Sequence, residues 1–221
     1  MLNFIEQKFA ELKNPTDAVC QTAYMRYKFK FLGIKKPLIK NVMVELLKQF
    51  NPSLEEIVQL ADTLYYKEYR EYQYLALYLL EKSAKKLNES HLSMLEKMTL
   101  HDSWWDSVDV IASNIIGMVL FKLPPYQRKP YLDKWENSDN LWLLRTCIIF
   151  QMKYKKDIDT EYLAHICQKF KHHEDFFIRK AIGWILREYS KTDYNWVKVF
   201  VSNNPDLSNL SKKEALRLQL C

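Results

Sequence analysis

The feature that most constrains the fold of this chain is a weak internal repeat of helical segments. Trp142–Tyr154 aligns with Phe177–Tyr189 at an offset of 35 residues. Trp105 occupies the matching place 37 residues before Trp142, and Tyr72 occupies it 33 residues before Trp105. Each of these segments follows a shorter one, so the repeating unit is a pair of helices. A weak repeat of this length is typical of an α-solenoid of HEAT or armadillo type.

Apolar residues recur at three- and four-residue spacing along almost the whole chain, which predicts helix nearly throughout. Ile57 and Leu64 belong to one such stripe, and Ser53 with Glu56 forms a capping-box pattern just ahead of it. No convincing strand pattern is present in the sequence. We therefore expect an all-α fold, an α–α superhelix of antiparallel helix pairs in a single domain over residues 1–221. The predicted helices cover residues 2–13, 16–30, 37–50, 53–66, 69–87, 90–100, 104–121, 124–135, 140–155, 159–170, 174–190, 193–202 and 210–219.

Glycine, cysteine and histidine usage argues against several kinds of site. The three glycines are isolated, whereas a phosphate-binding loop of a nucleotide cofactor needs a glycine cluster. The four cysteines are scattered without a Cys-x-x-Cys pair, which favours reduced thiols in a cytosolic protein. His172 and His173 are adjacent rather than four apart, and no further ligand spacing completes a metal site. We expect neither a metal nor a cofactor.

The charge pattern is compatible with a polyanionic partner. No apolar stretch approaches the ~20 residues of a membrane span, and no signal peptide is apparent at the N-terminus, so we expect a cytoplasmic protein without membrane contact. The formal net charge is +6. Most basic runs are solvated helix ends, but in a solenoid such ends can line one groove, where interleaved aromatic residues would grip nucleic acid. The basic residues cluster at Lys28, Lys30, Lys35, Lys36 and Lys40, at Lys153, Lys155 and Lys156, and at Lys169, Lys171, Arg179 and Lys180, and the aromatic residues are Tyr24, Tyr27, Trp105 and Trp184.

The segment His101–Asp109 combines two adjacent tryptophans with a carboxylate. Asp109 follows Trp105 by four residues, so the two side chains share one helix face. In the repeat, a carboxylate at this place replaces a small residue of the packed inner layer, which destabilises the fold unless the charge faces water or has a partner. The pattern leaves two interpretations equal, a buried acid paired with Arg145 or Arg179, or a functional group. The residues aligned with Asp109 are Ala76, Thr146 and Ala181.

Neighbouring residues have structural interpretations. Ser103 and Asp106 resemble a capping box, and an acid in the first helical turn suits the helix dipole. Trp104 is expected to pack between helices. Trp184 follows Gly183 in an apolar segment, and the pattern alone favours a place in the core.

Five segments carry a resemblance to a known family: Tyr24–Ile34, Ser103–Asp109, Ser138–Arg145, Phe176–Tyr189 and Pro205–Ala215. Together they resemble the AlkD family of bacterial DNA alkylation-repair glycosylases. They follow one another in the family's order over nearly the whole chain, and the Ser-Trp-Trp-Asp-Ser-Val-Asp string is highly specific. This resemblance implies a HEAT-like solenoid that removes N3- and N7-alkylated purines from duplex DNA in base excision repair. A monomer is the simplest expectation for such an enzyme.

The resemblance also implies roles for particular residues. Asp109 takes the place of the catalytic carboxylate, and Trp105 and Trp184 take the place of the aromatic walls around the lesion nucleotide. Arg145 takes the place of an arginine that holds the DNA backbone. At one position where relatives often carry Gln, this chain has Lys35. The resemblance and the basic and aromatic pattern together give the expected DNA-binding residues, which are Arg145, Tyr24, Tyr27, Lys35, Arg179 and Lys180.

Two other functions fit the same fold. A non-catalytic solenoid would bind distorted duplex DNA without cleaving any bond, although the presence of Asp109 argues against it. A protein-interaction scaffold is the commonest use of HEAT arrays, and fold alone does not give function.

Overall fold

The computed structural model describes residues 1–217, and within them the chain is all-α, as the apolar periodicity predicts. A π-helical segment (Ile111–Ile116) joins α7 to α8 without a break, and short 3₁₀ turns lie at Glu89–His91, Phe150–Lys153 and Lys155–Asp157. No helix in these residues is long and apolar enough to cross a membrane. The α-helices are α1 (Leu2–Leu12), α2 (Pro15–Tyr24), α3 (Lys36–Phe50), α4 (Leu54–Tyr65), α5 (Arg70–Ser83), α6 (Leu92–Leu100), α7 (Trp105–Val110), α8 (Gly117–Phe121), α9 (Pro125–Glu136), α10 (Leu141–Ile149), α11 (Thr160–Lys169), α12 (Phe176–Ser190), α13 (Tyr194–Asn203) and α14 (Asn209–Ala215).

The chain divides into two compact units, the first over residues 1–87 and the second from Asn88 onward. In the first unit, α5 packs against α3 and α4. In the second unit, α12 packs against α10, α13 and α14. The sequence prediction of a single domain over residues 1–221 stays a prediction, and the part of the predicted helix 210–219 beyond residue 217 lies outside the described residues.

Side-chain caps set several helix starts. The predicted capping box is confirmed, since the Ser53 hydroxyl accepts the Glu56 N–H and the Glu56 carboxylate accepts the Ser53 N–H. Asn140 accepts two backbone N–H groups at the start of α10, and Asp175 accepts one at the start of α12. These caps satisfy N–H groups that have no partner inside the helix. They fix where α10 and α12 begin, and so the register of side chains along both helices.

The internal repeat aligns positions that are buried within each unit. The three residues aligned with Asp109 belong to α5, α10 and α12, and all of them have 0% of their surface exposed. Asp109 lies on α7 and keeps 16% of its side-chain surface exposed. A carboxylate therefore stands at a position where the other repeats bury a small side chain. The fully buried equivalents are Ala76, Thr146 and Ala181.

The prediction of one helix over residues 16–30 is wrong beyond residue 24. Arg26 and Tyr27 adopt left-handed backbone conformations, with φ of 56° and 59°, which no α-helix contains. Lys30 then forms an isolated parallel β-bridge with Tyr69, and its carbonyl accepts the N–H of Arg70 at 2.9 Å. This contact with the start of α5 replaces helical hydrogen bonding near Lys30 and fixes residues 25–30 as an ordered loop.

A buried carboxylate fixes the loop that precedes α3. Glu71 has no exposed surface and accepts three successive backbone N–H groups, from Leu32 at 3.0 Å, Gly33 at 2.8 Å and Ile34 at 3.1 Å. Gly33 has φ of 86°, and a Cβ there would lie 1.9 Å from the Asn14 carbonyl oxygen. Only glycine fits this close approach. The loop thereby gives Lys35, directly after it, a defined backbone position.

The predicted helix 140–155 changes character near its end. α10 stops at Ile149 and the chain continues as a 3₁₀ turn. The reason is a close approach to Gly117, where a Cβ would lie 2.2 Å from the Phe150 carbonyl oxygen. The Tyr154 hydroxyl donates to the Gly117 carbonyl at 2.7 Å. Packing of the 3₁₀ turn against the end of the π-helical segment therefore sets the geometry here, which local periodicity does not encode.

Candidate functional site

Side chains of α7, α10 and α12 enclose a pocket of about 290 Å³ within the second unit. It brings together five residues that the sequence singled out, Trp105, Asp109, Arg145, Lys180 and Trp184, from three separate segments. The pocket is bounded by aromatic rings and by charged groups of both signs. Its lining residues are Trp105, Asp109, Arg145, Phe176, Phe177, Lys180, Trp184 and Arg187.

Asp109 and Arg145 both line this pocket and form a bidentate ion pair. Arg145 Nε donates to Asp109 Oδ1 at 2.7 Å, and Nη2 donates to Oδ2 at 2.9 Å. Arg145 Nη1 donates to the carbonyl of Phe177, and only 3% of the Arg145 side chain is exposed. Of the two partners that the sequence left open for Asp109, Arg145 is the one observed. Arg179 is not the partner, because its Nε donates to the His173 carbonyl at 2.8 Å.

The electrostatics of Asp109 balance two opposing effects. Burial raises the pKa of Asp109 above its ordinary value of 3.8, and the nearby Asp106 adds to the rise. The guanidinium of Arg145 lowers the pKa through its hydrogen bonds and its charge. Since both Asp109 oxygens accept hydrogen bonds from Arg145, the group in this geometry is an ionised carboxylate. The site therefore holds a negative charge close to protein atoms and only partly screened by water.

The two adjacent tryptophans have different environments because α7 begins between them. Trp104 is the N-cap residue with extended backbone, and its ring contacts the rings of Trp142 and Phe177, with centroids 5.7 and 5.0 Å away. The expected packing of Trp104 between helices is confirmed. Trp105 is the first helical residue and lines the pocket.

The expected capping box at the start of α7 is wrong. Ser103 precedes the N-cap position, and its hydroxyl donates to the carbonyl of Thr99 at 2.6 Å instead of accepting a helical N–H. Asp106 does lie in the first turn of the helix, as the dipole argument expects, and it is buried. The preceding helix, α6, thus provides the hydroxyl's partner through a contact that spacing alone does not reveal.

The backbone just after Asp109 is also unusual. The π-helical segment starts two residues later, and the Ser113 hydroxyl donates to the Asp109 carbonyl at 2.6 Å. π-Helical turns carry one extra residue, shift the faces that side chains occupy, and are frequent at functional sites. Here the turn separates the face that carries Trp105 and Asp109 from the fully buried residues of α8.

Trp184 lines the pocket and is partly exposed, so the core position that its apolar segment favours is wrong. Its ring lies beside the ion pair, with Arg145 Cζ 6.0 Å from the ring centroid. The site therefore has an aromatic side chain from α7, Trp105, and another from α12, with the carboxylate among the lining residues.

One face of α12 supplies much of the pocket. Phe177, Lys180, Trp184 and Arg187 follow one another at helical spacing and all line it. Sequence reasoning missed Phe176, Phe177 and Arg187 as lining residues. Phe177 and Arg187 share a helix face with Trp184, and this spacing is the sequence pattern that could have identified them. It indicates the pocket only if Trp184 is already known to line it.

The remaining candidate residues lie in different surroundings. Lys180 is ion-paired with Glu214, at 2.6 Å, on the rim of the pocket. Tyr24 and Tyr27 are largely exposed in the first unit. Lys35, also in the first unit, has an exposed side chain whose amino group lies 3.3 Å from an Asp17 carboxylate oxygen. All four side chains reach the surface of the unit to which they belong.

The sequence matches the family model described as DNA alkylation repair enzyme over residues 5–218. The chain belongs to this family. A predicted DNA alkylation repair enzyme from Enterococcus faecalis is similar at 29% identity with a TM-score of 0.83, over 93% of this chain and 95% of that one.

More distant solved structures share the fold. The protein smu.31 from Streptococcus mutans has 21% identity and a TM-score of 0.60, over 80% of this chain and 90% of its own. AlkD2 from Streptococcus mutans has 20% identity and a TM-score of 0.59, over 81% of this chain and 98% of its own. No curated protein matches the chain. Membership of this family indicates an enzyme of DNA alkylation repair that acts on DNA. The all-helical fold is shared with AlkD2.

Proposed function

We propose that this protein is a DNA glycosylase that hydrolyses the N-glycosidic bond of N3- and N7-alkylated purines in duplex DNA. The observation that carries the proposal is the position of Asp109, a carboxylate held at two points by Arg145 in a pocket with walls formed by Trp105 and Trp184. A family role in alkylation repair supports it. The enzyme would act in base excision repair.

The substrate needs little help to release its base. An N3- or N7-alkylated purine already carries a positive charge, so the glycosidic bond can break with both electrons passing to the base nitrogen. The base leaves neutral, and positive charge develops on the sugar, as in glycoside hydrolysis. The Asp109 carboxylate can stabilise this cation and accept a proton from the water that bonds to C1′. Burial makes Asp109 a stronger base than an exposed aspartate, because it raises the pKa of the carboxyl.

Arg145 has a role in the proposal that differs from holding the DNA backbone. Its Nε, Nη1 and Nη2 atoms all donate to protein oxygens, and 3% of its side chain is exposed. Little of the guanidinium surface is left for a phosphate. We therefore propose that Arg145 orients Asp109 and favours its ionised form, which the bidentate geometry does well.

Besides the Asp109 carboxylate, the rings of Trp105 and Trp184 can also attract a cation in the pocket. The faces of indole rings carry partial negative charge and attract a positive group within about 6 Å of the ring centre. An alkylated purine and the sugar cation derived from it are both such groups. We propose that the two rings hold the lesion nucleotide near Asp109.

DNA binding is proposed to involve surface cations and aromatic rings. On α12 these are Lys180 and Arg187 at the pocket, with Arg179 nearby; in the first unit they are Tyr24, Tyr27 and Lys35. Cations on the surface neutralise phosphates, and exposed tyrosines pack on sugar or base. The protein would act as a monomer in the cytoplasm.

Release of 7-methylguanine from methylated duplex DNA tests the proposal. Wild-type protein is expected to release the base, and Asp109→Asn is expected to bind the duplex without releasing it. Asp102→Asn is a matched control, because Asp102 is an exposed carboxylate of the same segment outside the pocket. Binding without release by the wild type would favour a non-catalytic DNA-binding protein, and an active Asp109→Asn would remove Asp109 from the chemistry.

A further inference from the structure

A carboxylate on helix α14 forms ion pairs with two cations of the pocket. Glu214 Oε1 accepts a hydrogen bond from Lys180 Nζ at 2.6 Å, and Glu214 Oε2 accepts one from Arg187 Nη1 at 2.8 Å. Both cations line the pocket that contains Trp184 and Asp109, whereas Glu214 does not. Glu214 therefore touches the pocket only through Lys180 and Arg187.

The two cations that Glu214 contacts lie on either side of Trp184. Lys180 precedes Trp184 by four residues and Arg187 follows it by three, so one face of α12 presents cation, indole and cation in a row. The two oxygens of one carboxylate hold the outer members of this row. Lysine and arginine side chains are long and adopt many rotamers, and a fixed acceptor restricts them to few.

Gly183 explains how a carboxylate from another helix reaches this place. A Cβ on Gly183 would lie 2.5 Å from Glu214 Cβ and 2.9 Å from the Ser211 carbonyl oxygen, so any side chain there would push α14 away. The Ser211 hydroxyl donates to the Arg179 carbonyl at 2.8 Å and ties the same two helices together. The side chain of Glu214 is 10% exposed, which means that it is built into the α12–α14 contact.

Glu214 is poorly suited to a simple role in DNA affinity. A negative charge beside a site for a polyanion weakens binding, because it repels phosphates and neutralises the neighbouring cations. Its presence at the rim is explained if the orientation of Lys180 and Arg187 matters more than their net charge. Phosphates on either side of a lesion nucleotide are the groups that two oriented cations around Trp184 would meet.

We propose that Glu214 is a positioning residue for base excision, which holds Lys180 and Arg187 in the orientation that seats the DNA backbone around Trp184. This inference rests on the proposed glycosylase function. Groups that are held in place before the reaction accelerate it, and small misplacements slow it greatly. Glu214 would therefore affect the rate of excision more than it affects the affinity for DNA.

The test measures single-turnover release of 7-methylguanine and, separately, the Kd for the same methylated duplex. Glu214→Gln preserves side-chain size and removes the charge; it is expected to lower the release rate about ten-fold, with Kd unchanged or lower. Glu214→Asp keeps the charge with a shorter reach and is expected to recover part of the rate. Glu188→Gln is the matched control, because Glu188 lies on α12 outside the pocket and pairs with Lys191 instead of a pocket cation. It should match the wild type.

A double-mutant cycle separates positioning from a general loss of structure. In a Lys180→Gln/Arg187→Gln background, Glu214→Gln is expected to lower the rate no further, because the groups through which it acts are gone. A merely structural role predicts the same loss in both backgrounds, and that result would overturn the inference. So would a Glu214→Gln protein with the wild-type rate. Wild-type protein that releases no base would instead overturn the proposed function, and this inference with it.

Discussion

Arg145 and Asp109 are 36 residues apart in sequence, yet two parallel hydrogen bonds of 2.7 and 2.9 Å join their side chains. The pair links α10 to α7 and lies among the residues that line the pocket. One interaction thus serves packing and the proposed chemistry. It balances the charge of a carboxylate at a repeat position where the aligned residues are fully buried, and it fixes the orientation of that carboxylate.

Replacement of Arg145 by lysine should separate charge from geometry. A lysine keeps the positive charge but presents a single point rather than a planar fork, so it cannot hold both Asp109 oxygens. We expect Arg145→Lys to lower the rate of 7-methylguanine release by about 10- to 100-fold, since small misplacements of reacting groups have effects of that size. Single-turnover kinetics at saturating protein measure the rate.

Removal of the Arg145 side chain should have a larger effect on stability. Arg145→Ala leaves Asp109 buried without its partner, and breaking a buried ion pair in this way costs about 3–5 kcal/mol. Urea denaturation of Arg145→Ala and Arg145→Lys measures the difference. Equal stability and activity in both variants and the wild type would mean that the ion pair contributes to neither.

The pH dependence of excision should report Asp109. Its pKa is raised above 3.8 mainly by burial, so the carboxyl becomes protonated, and unable to stabilise a cation, at a higher pH than an exposed aspartate. The release rate should therefore fall as the pH drops through this raised pKa, with a midpoint above 3.8. Arg145→Lys should move the midpoint further up, because Arg145 lowers the pKa. Rates measured with Asp109→Asn provide the background for spontaneous base loss.

The same raised pKa has the opposite effect on stability. Between 3.8 and the folded-state pKa, Asp109 binds more protons in the folded protein than in the unfolded chain. Its contribution to the free energy of unfolding therefore decreases as the pH rises through that window. Asp109→Asn should lose this slope. A pH profile of stability that is the same in both proteins would contradict the assignment of the raised pKa to Asp109.

The adjacent tryptophans should respond differently to truncation. Trp104 contacts the rings of Trp142 and Phe177, so Trp104→Ala should reduce the free energy of unfolding by about 3 kcal/mol, the lower end for large aromatic deletions because Trp104 is partly exposed. Trp105→Ala should destabilise the protein less and lower the release rate more. Thermal or urea denaturation with parallel kinetics distinguishes the two. A Trp105→Ala protein with full activity would exclude the ring from the proposed site.

Local periodicity was sufficient for the helices but not for the points where tertiary contacts override it. The stripe that contains Ile57 and Leu64 predicts α4 with its capping box, and both features are observed. The chain beyond Tyr24 follows helical spacing too, yet it forms a loop because Lys30 pairs with Tyr69, 39 residues away. Such a contact has no local signature.

In the site, too, the sequence predicts what depends on local spacing and not what depends on contacts between helices. The spacing of Trp105 and Asp109 placed both on one face, and both line the pocket. The partner of Asp109 remained open between Arg145 and Arg179, since side-chain geometry across helices is not encoded in spacing. Glu214 could not have been connected with Lys180 at all, because their contact depends on the close packing that Gly183 permits.

Lys35 should contribute to DNA binding through its charge. Its side chain is exposed, and the loop before it is fixed by the buried carboxylate of Glu71. Each phosphate contact by a lysine releases about one counterion, so Lys35→Gln should reduce the slope of log K against log salt concentration by about 1. Affinity for a duplex measured at several salt concentrations gives the slope. Lys129→Gln is the control, because Lys129 is equally exposed and pairs with Asp133 on α9. If both variants keep the wild-type slope, Lys35 lies outside the DNA interface; if both lose the same amount, the effect is that of net charge and not of a contact at Lys35.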